Sequence, residues 1–201
     1  MSHLLFVTHP EVVIDPDQPI PDWPLSAVGR GRMEAFAEML AAGATPVAAV
    51  WSSDERKARD GGEIIAARLG LTPQIGEGLE ENDRSATGYL APPEFWEVVE
   101  VFFDNPHESV RGWETAAHAQ DRIVAAVRHV LAAENGPGHI VVVSHGGVGR
   151  LLMAHLQGVS IGQEDRPGNP GGGCLIAVNR ESLKVEGAWR DVEDYQAPPT
   201  Q

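Results

Sequence analysis

HIVVVSHGGVGRLLMAHL, residues 139–156, opens on four strand formers in a row after its first histidine, Ile140 to Val143, with no polar break. A run of that kind suits a strand buried on both faces of a parallel sheet. Ser144, His145, Gly146 and Gly147 follow, and Val148, Leu151, Leu152 and His155 then fall at helical spacing. The pattern predicts strand, turn and helix, with His145 at the junction and His155 in the core on the helix's apolar face. In open α/β sheets ligands bind at the carboxyl edge of the strands, and a helix N-terminus offers unpaired N–H groups to an anion. His145 and Gly146 are therefore candidate anion-binding residues. A histidine that merely caps a turn is the plainer alternative.

The start of the chain repeats the pattern. Leu4 to Val7 is a short apolar run, and it too ends on a histidine, in Thr8-His9-Pro10-Glu11. If the two strands are neighbours, the two imidazoles face each other across one pocket.

Composition narrows the function classes. A chain of 201 residues, 42% hydrophobic and 22% charged, fits one globular domain with a sizeable core. The net charge is −14, from 29 acidic and 15 basic residues. That balance argues against a nucleic acid or an anionic membrane as partner, since both need basic patches. The single cysteine, Cys174, has no partner for an internal disulfide, which fits a reducing compartment. Met1-Ser2-His3 leads straight into the first strand and no apolar run approaches membrane-spanning length, so a cytoplasmic protein is expected.

Between the two histidines the chain alternates. Residues 11–24 carry Pro16, Pro19, Pro21 and Pro24 and read as a loop. Ser26 is the expected N-cap of a helix with Met33, Phe36, Ala37 and Leu40 on its apolar stripe and Gly43 as its stop. Val47 to Trp51 reads as a second strand. Ser52-Ser53-Asp54 can then cap a helix running through Leu69. Gly61-Gly62 inside that helix calls for a close packing contact or an irregularity. Gln74 to Gly78 suggests a short strand. Glu80 to Gly112 is an acidic, proline- and aromatic-rich excursion with a helix from Pro93 to Phe103, suited to an insertion or lid over a site. A strongly periodic helix follows from about Trp113 to Ala133. Glycines at 168 and 171–173 mark a mobile loop, Cys174 to Val178 and Lys184 to Trp189 a closing strand pair, and Pro198-Pro199 a frayed tail. The alternation predicts an α/β fold, a three-layer α/β/α sandwich around a mostly parallel sheet.

Two histidines at strand ends, the cations Arg56, Lys57 and Arg59 after the second strand, and the carboxylates Glu80, Glu81 and Asp83 are the equipment for phosphoryl transfer through a phosphohistidine. A neutral imidazole attacks phosphorus, cations offset charge on the oxygens, and an acid protonates the leaving alcohol. The scheme needs no metal and no organic cofactor.

These residues carry a resemblance to the histidine phosphatase superfamily, the phosphoglycerate-mutase-like fold. That family opens with a strand ending in Arg-His-Gly, here Thr8-His9-Pro10. Leu25 to Arg30 resembles its following helix start, Ser52 to Ala58 its Ser-Ser-x-x-x-Arg-Ala segment, Leu79 to Asp83 the stretch with its acid, and Val143 to Val148 its second histidine. The resemblance implies one domain over residues 1–201 and a metal-independent phosphatase acting on a small phosphorylated substrate, with inorganic phosphate as a ligand. It implies His9 as nucleophile, His145 as the second histidine on the phosphoryl group, Glu81 as general acid and Lys57 in place of a phosphate-binding arginine, with Thr8, Arg56 and Gly146 beside the substrate.

The departures bear on activity. Thr8 stands where the family has an arginine, which removes a fixed charge and a bidentate donor. Pro10 removes a backbone N–H next to the nucleophile. Each lost charge-assisted hydrogen bond is worth about 1.5–3 kcal/mol, enough to lower turnover by orders of magnitude. A relative that binds a phosphate ligand or regulates without catalysis is the alternative, and Arg56, Arg59, Arg84 and Arg111 are candidate compensating cations. A metal hydrolase fits poorly, since no HExxH or His-x-His spacing is present. A nucleotide loop lacks its GxGxxG or GxxxxGK[ST] spacing.

Overall fold

The computed structural model describes residues 2–196, so the tail prolines Pro198 and Pro199 lie outside them. Strands β1 (His3–Thr8), β2 (Val47–Ser52), β3 (Gln74–Ile75), β4 (His139–Ser144), β5 (Cys174–Asn179) and β6 (Val185–Asp191) form one sheet in the order β3-β2-β4-β1-β5-β6. The pairs β3–β2, β2–β4 and β4–β1 are parallel, and β5 and β6 close the sheet antiparallel on the far side of β1. β1 and β4 are thus central neighbours, and every residue of both is buried.

Period-two alternation of the strands separates two cores. Leu5, Val7, Val50, Val141 and Val143 face α1 (Ala27–Ala42) and α2 (Arg56–Leu69), whose Met33, Phe36, Leu40 and Ile65 pack on them. Leu4, Phe6, Trp51, Ile140 and Val142 face the other way. There they meet α3 (Glu94–Asp104), α4 (Ala116–Ala133) and α5 (Gly146–Gln157) through Phe102, Ile123, Val127, Val148 and Leu152. The three layers and the mostly parallel sheet are those expected from the alternation of elements.

Local chemistry explains most boundaries. Ser26 Oγ accepts from Gly29 N at 3.1 Å, a cap worth about 1 kcal/mol, and Gly43 ends α1. Gly61 and Gly62 answer to packing. A Cβ at Gly61 would lie 3.1 Å from Met33 Cε and 3.2 Å from Val143 Cγ1, and one at Gly62 would lie 3.2 Å from Ser52 Cβ. Two expectations are corrected. Ser52, Ser53 and Asp54 do not cap α2: Glu55 precedes its first turn without a side-chain capping bond, because Ser53 and Glu55 turn inward to other partners. His155 is exposed rather than in the core, since the apolar stripe of α5 continues from Leu152 to Leu156 and leaves His155 beside it.

Candidate active site

Because β1 and β4 are parallel with Thr8 opposite Ser144, the chain leaves both strands at the same edge, on His9 and His145. His9 N donates to Ser144 O at 2.9 Å and extends the ladder one residue. The rings then meet edge to face, centroids 5.1 Å apart at 68°. His9 Nδ1 lies 2.9 Å from the Pro10 carbonyl oxygen. A carbonyl only accepts, so Nδ1 carries the proton and Nε2 keeps its lone pair. Pro10 has lost its N–H but still supplies the carbonyl that sets this tautomer. Gly172, at φ +76, lets the 168–173 loop close on the histidine: a Cβ there would sit 2.1 Å from His9 O, and Gly173 N donates to that oxygen at 3.1 Å. The loop expected to be mobile is anchored at His9.

Burial dominates the electrostatics of both rings. It lowers the His9 imidazole to about 4, helped by the Lys57 charge and opposed by the Pro10 carbonyl and Glu55. It lowers His145 to about 3 against the pull of Glu55. Both rings are neutral at neutral pH, the form in which an imidazole can act as a nucleophile. His145 Nε2 lies 2.7 Å from Ser53 Oγ and 3.4 Å from Glu55 Oε1, while its buried Nδ1 has no partner among the described residues.

Beneath the rings lies a buried network. Lys57 Nζ is ion-paired to Glu55 and donates to Ile20 O at 3.0 Å. Glu55 Oε1 also accepts from Glu81 N at 2.8 Å. Burial pushes the Glu55 carboxyl up, but His145, Lys57 and the Glu81 N–H outweigh it and hold the group well below the usual carboxylate range. Glu81 in turn reaches the start of α5. Its carboxylate accepts from Gly147 N and Val148 N, each at 2.9 Å, and from Asn82 N at 3.1 Å. Arg122 of α4 clamps this strap through the carbonyls of Gly78, Glu80 and Glu81 and pairs with Glu114 at 2.8 Å. Gly149 N bonds His145 O, and at the N-terminus of α5 the Gly146 N–H, which faces the cavity lining, has no acceptor among the described residues.

A cavity of about 790 Å³ opens above His9. Thr8, His9, Glu81 and Gly146 line it, as does Arg84. Thr8 is buried, its Oγ1 accepting from Cys174 N at 3.0 Å. Lys57 sits behind the cavity wall on Glu55, and Arg56 is exposed at the start of α2, outside the lining. Arg59 and Arg111 are half-exposed surface pairs of Asp54 and Glu94. Sequence reasoning missed Ser53, Glu55 and Arg122. Glu55 sits in a run of charges that reads as solvated, and no local pattern marks Arg122 as a clamp. Among the described residues no group of three or more His, Cys, Asp or Glu side chains is arranged to hold a metal ion.

The depressed histidines predict a pH dependence of stability. Unfolded, each takes up a proton near 6.5; folded, each resists until about 4 or 3. The unfolded chain binds more protons in that window, so their contribution is complete above pH 6.5 and is lost as pH falls from 6.5 through 4 and 3. Melting temperature should therefore drop across pH 6.5 to 4, and a His145→Gln variant should show a shallower drop by differential scanning fluorimetry. Equal slopes would remove His145 from the account.

No curated protein sequence matches the chain. Among solved structures it is similar to a mycobacterial glucosyl-3-phosphoglycerate phosphatase in complex with inorganic phosphate, at 20% identity and a TM-score of 0.78, over 97% of this chain and 100% of that one. The same phosphatase with VO3 bound superposes with a TM-score of 0.78 at 21% identity, over 95% of this chain and 100% of that one. YhfR of Bacillus stearothermophilus gives 0.75 at 20%, over 92% and 95%. The family model of the histidine phosphatase superfamily, branch 1, matches residues 4–186, and the chain belongs to that superfamily.

Proposed function

We propose that this chain is a phosphoric monoester hydrolase that works through a phosphohistidine on His9. The observation that carries the reading is the neutral His9 ring, proton fixed on Nδ1, at the floor of a cavity against His145. Nε2 attacks phosphorus and the bond from phosphorus to the ester oxygen breaks. The leaving oxygen takes a proton from Glu81, which receives it from the monoanionic ester. Water then attacks the phosphohistidine and gives its proton to the Glu81 carboxylate, which passes it to the departing phosphate as His9 is restored. Gly146 N–H and Arg84, which line the cavity, are the donors for the phosphoryl oxygens, His145 stands behind them on Ser53 and Glu55, and Arg84 takes the part of the arginine that Thr8 lacks. Residues 80–112 serve as the lid of this one domain. A binding module without catalysis is the second reading, favoured by one observation: Lys57 is already neutralised by Glu55.

Hydrolysis of p-nitrophenyl phosphate in the presence of a chelator tests the first reading, with slow but vanadate-sensitive turnover expected and none supporting the second. Thr8→Arg should raise that rate about tenfold or more through a charge-assisted contact. It should also cost about 1–3 kcal/mol of stability, because the buried Cys174 N–H loses its acceptor. The double variant with Pro10→Gly separates a missing cation from a re-aimed His9. If neither variant gains, the arginine is not what limits the site.

The acid role of Glu81 has its own signature. In the resting structure three backbone N–H groups hold its oxygens. Glu81→Gln should slow alkyl phosphates by about 10²–10⁴-fold, the range of general acid catalysis. A nitrophenyl ester, whose leaving group needs no proton, should slow much less. Equal losses on both would make Glu81 a cap of α5 and nothing more.

A further inference from the structure

The cavity is larger than a phosphoryl group requires. About 790 Å³ falls in the range of sites that enclose a drug-sized molecule. Its far wall is aromatic. Phe95 lies 4.9 Å from Trp96 and 6.4 Å from Trp113, and Phe102 lies 6.0 Å from Trp113, centroid to centroid. Two apolar side chains of the lining stand in water, Trp96 at 50% exposure on α3 and Ile14 at 56% on the loop after β1. Phe102 and Trp113 belong to the core beneath, while Trp96 and Ile14, left open on one cavity, are a surface for a ligand. The Arg84 guanidinium carbon lies over this wall, 5.2 Å from the Phe95 centroid and 5.7 Å from that of Trp113, and makes no ion pair among the described residues. The charges around the opening are mixed, with Glu100 and Asp104 on α3 and Arg166 on the loop before β5.

We propose that the site selects phosphate monoesters of bulky, planar aromatic alcohols. The phosphoryl group sits at His9 and Arg84, and the ring system packs on the exposed Trp96 beside Phe95 and Ile14. The proposal rests on the hydrolase reading above and names its substrate class.

The test compares 1-naphthyl phosphate, phenyl phosphate and 3-phosphoglycerate. The first two have leaving groups of similar acidity, so their ratio reports the aromatic wall rather than the chemistry. 1-Naphthyl phosphate should exceed phenyl phosphate at least tenfold in kcat/KM, with 3-phosphoglycerate lowest. Trp96→Ala should bring the naphthyl-to-phenyl ratio toward unity. Turnover with no naphthyl preference, or best on 3-phosphoglycerate, overturns the proposal and leaves the hydrolase reading standing. Absence of turnover on all three overturns the hydrolase reading. The esters are then stable ligands, and their Kd values by calorimetry decide the selectivity by the same tenfold criterion.

Discussion

His9→Ala is expected to lower phosphomonoester turnover by about 10³-fold or more, with the fold retained. The size follows from the geometry. His9 supplies the attacking atom itself, and no second imidazole can substitute: the His145 Nε2 is held by Ser53 and Glu55 behind the cavity. Retention of the fold follows from what the side chain touches. Its hydrogen bond is local, to the Pro10 carbonyl, and the ladder contact to Ser144 belongs to the backbone. The variant should therefore melt near the wild type and still bind phosphate or vanadate through Gly146 and Arg84. A variant as active as wild type would remove His9 from the chemistry, whereas an unfolded one would show a structural role that these contacts do not.

Lys57→Ala is expected to cost about 3–5 kcal/mol of stability. Its ammonium is 3% exposed and ion-paired to Glu55, itself 8% exposed, so deletion strands a buried carboxylate. Lys57→Met with Glu55→Leu removes both charges and should recover most of the loss, short of the Glu81 N–H that Glu55 accepts. The double variant also separates stability from catalysis. Glu55 holds the Glu81 backbone N–H and lies 3.4 Å from His145 Nε2 beneath the cavity, so a well-folded double variant should still turn over about tenfold or more slowly as those groups lose their placement. Wild-type turnover in that background would make the pair purely structural, and an undiminished melting temperature in Lys57→Ala would mean that the pair is solvated in solution.

The fold was legible because its signals are local and periodic. Four strand formers ending on His145, a matching run ending on His9, the Ser26 cap and the stripe of α4 each follow from the chain within a few residues. The parallel pairing of β1 and β4 was the condition stated for the histidines to meet, and the register of Thr8 on Ser144 satisfies it. What escaped reading depends on contacts distant in sequence. Lys57 reads as a phosphate-binding cation until α2 packs it against Glu55 under two histidines, and Arg122 contacts a strap about 40 residues earlier in the chain. Ser53 has the chemistry of a cap and became a partner of His145, because a buried imidazole nitrogen is costlier to leave unpaired than a helix end exposed to water. The aromatic wall illustrates the converse. Phe95 and Trp96 stand in the excursion and Trp113 just after it, but only the folded chain sets them around one cavity with Arg84.

The most direct test of the central claim is to trap the intermediate. Wild-type protein mixed with a phosphorus-labelled monoester and quenched in alkali within the first turnover should carry label on His9, stable to base and lost in acid, and His9→Ala should carry none. Hydrolysis that proceeds without labelled His9, or label that persists in His9→Ala, would contradict a phosphohistidine at this position.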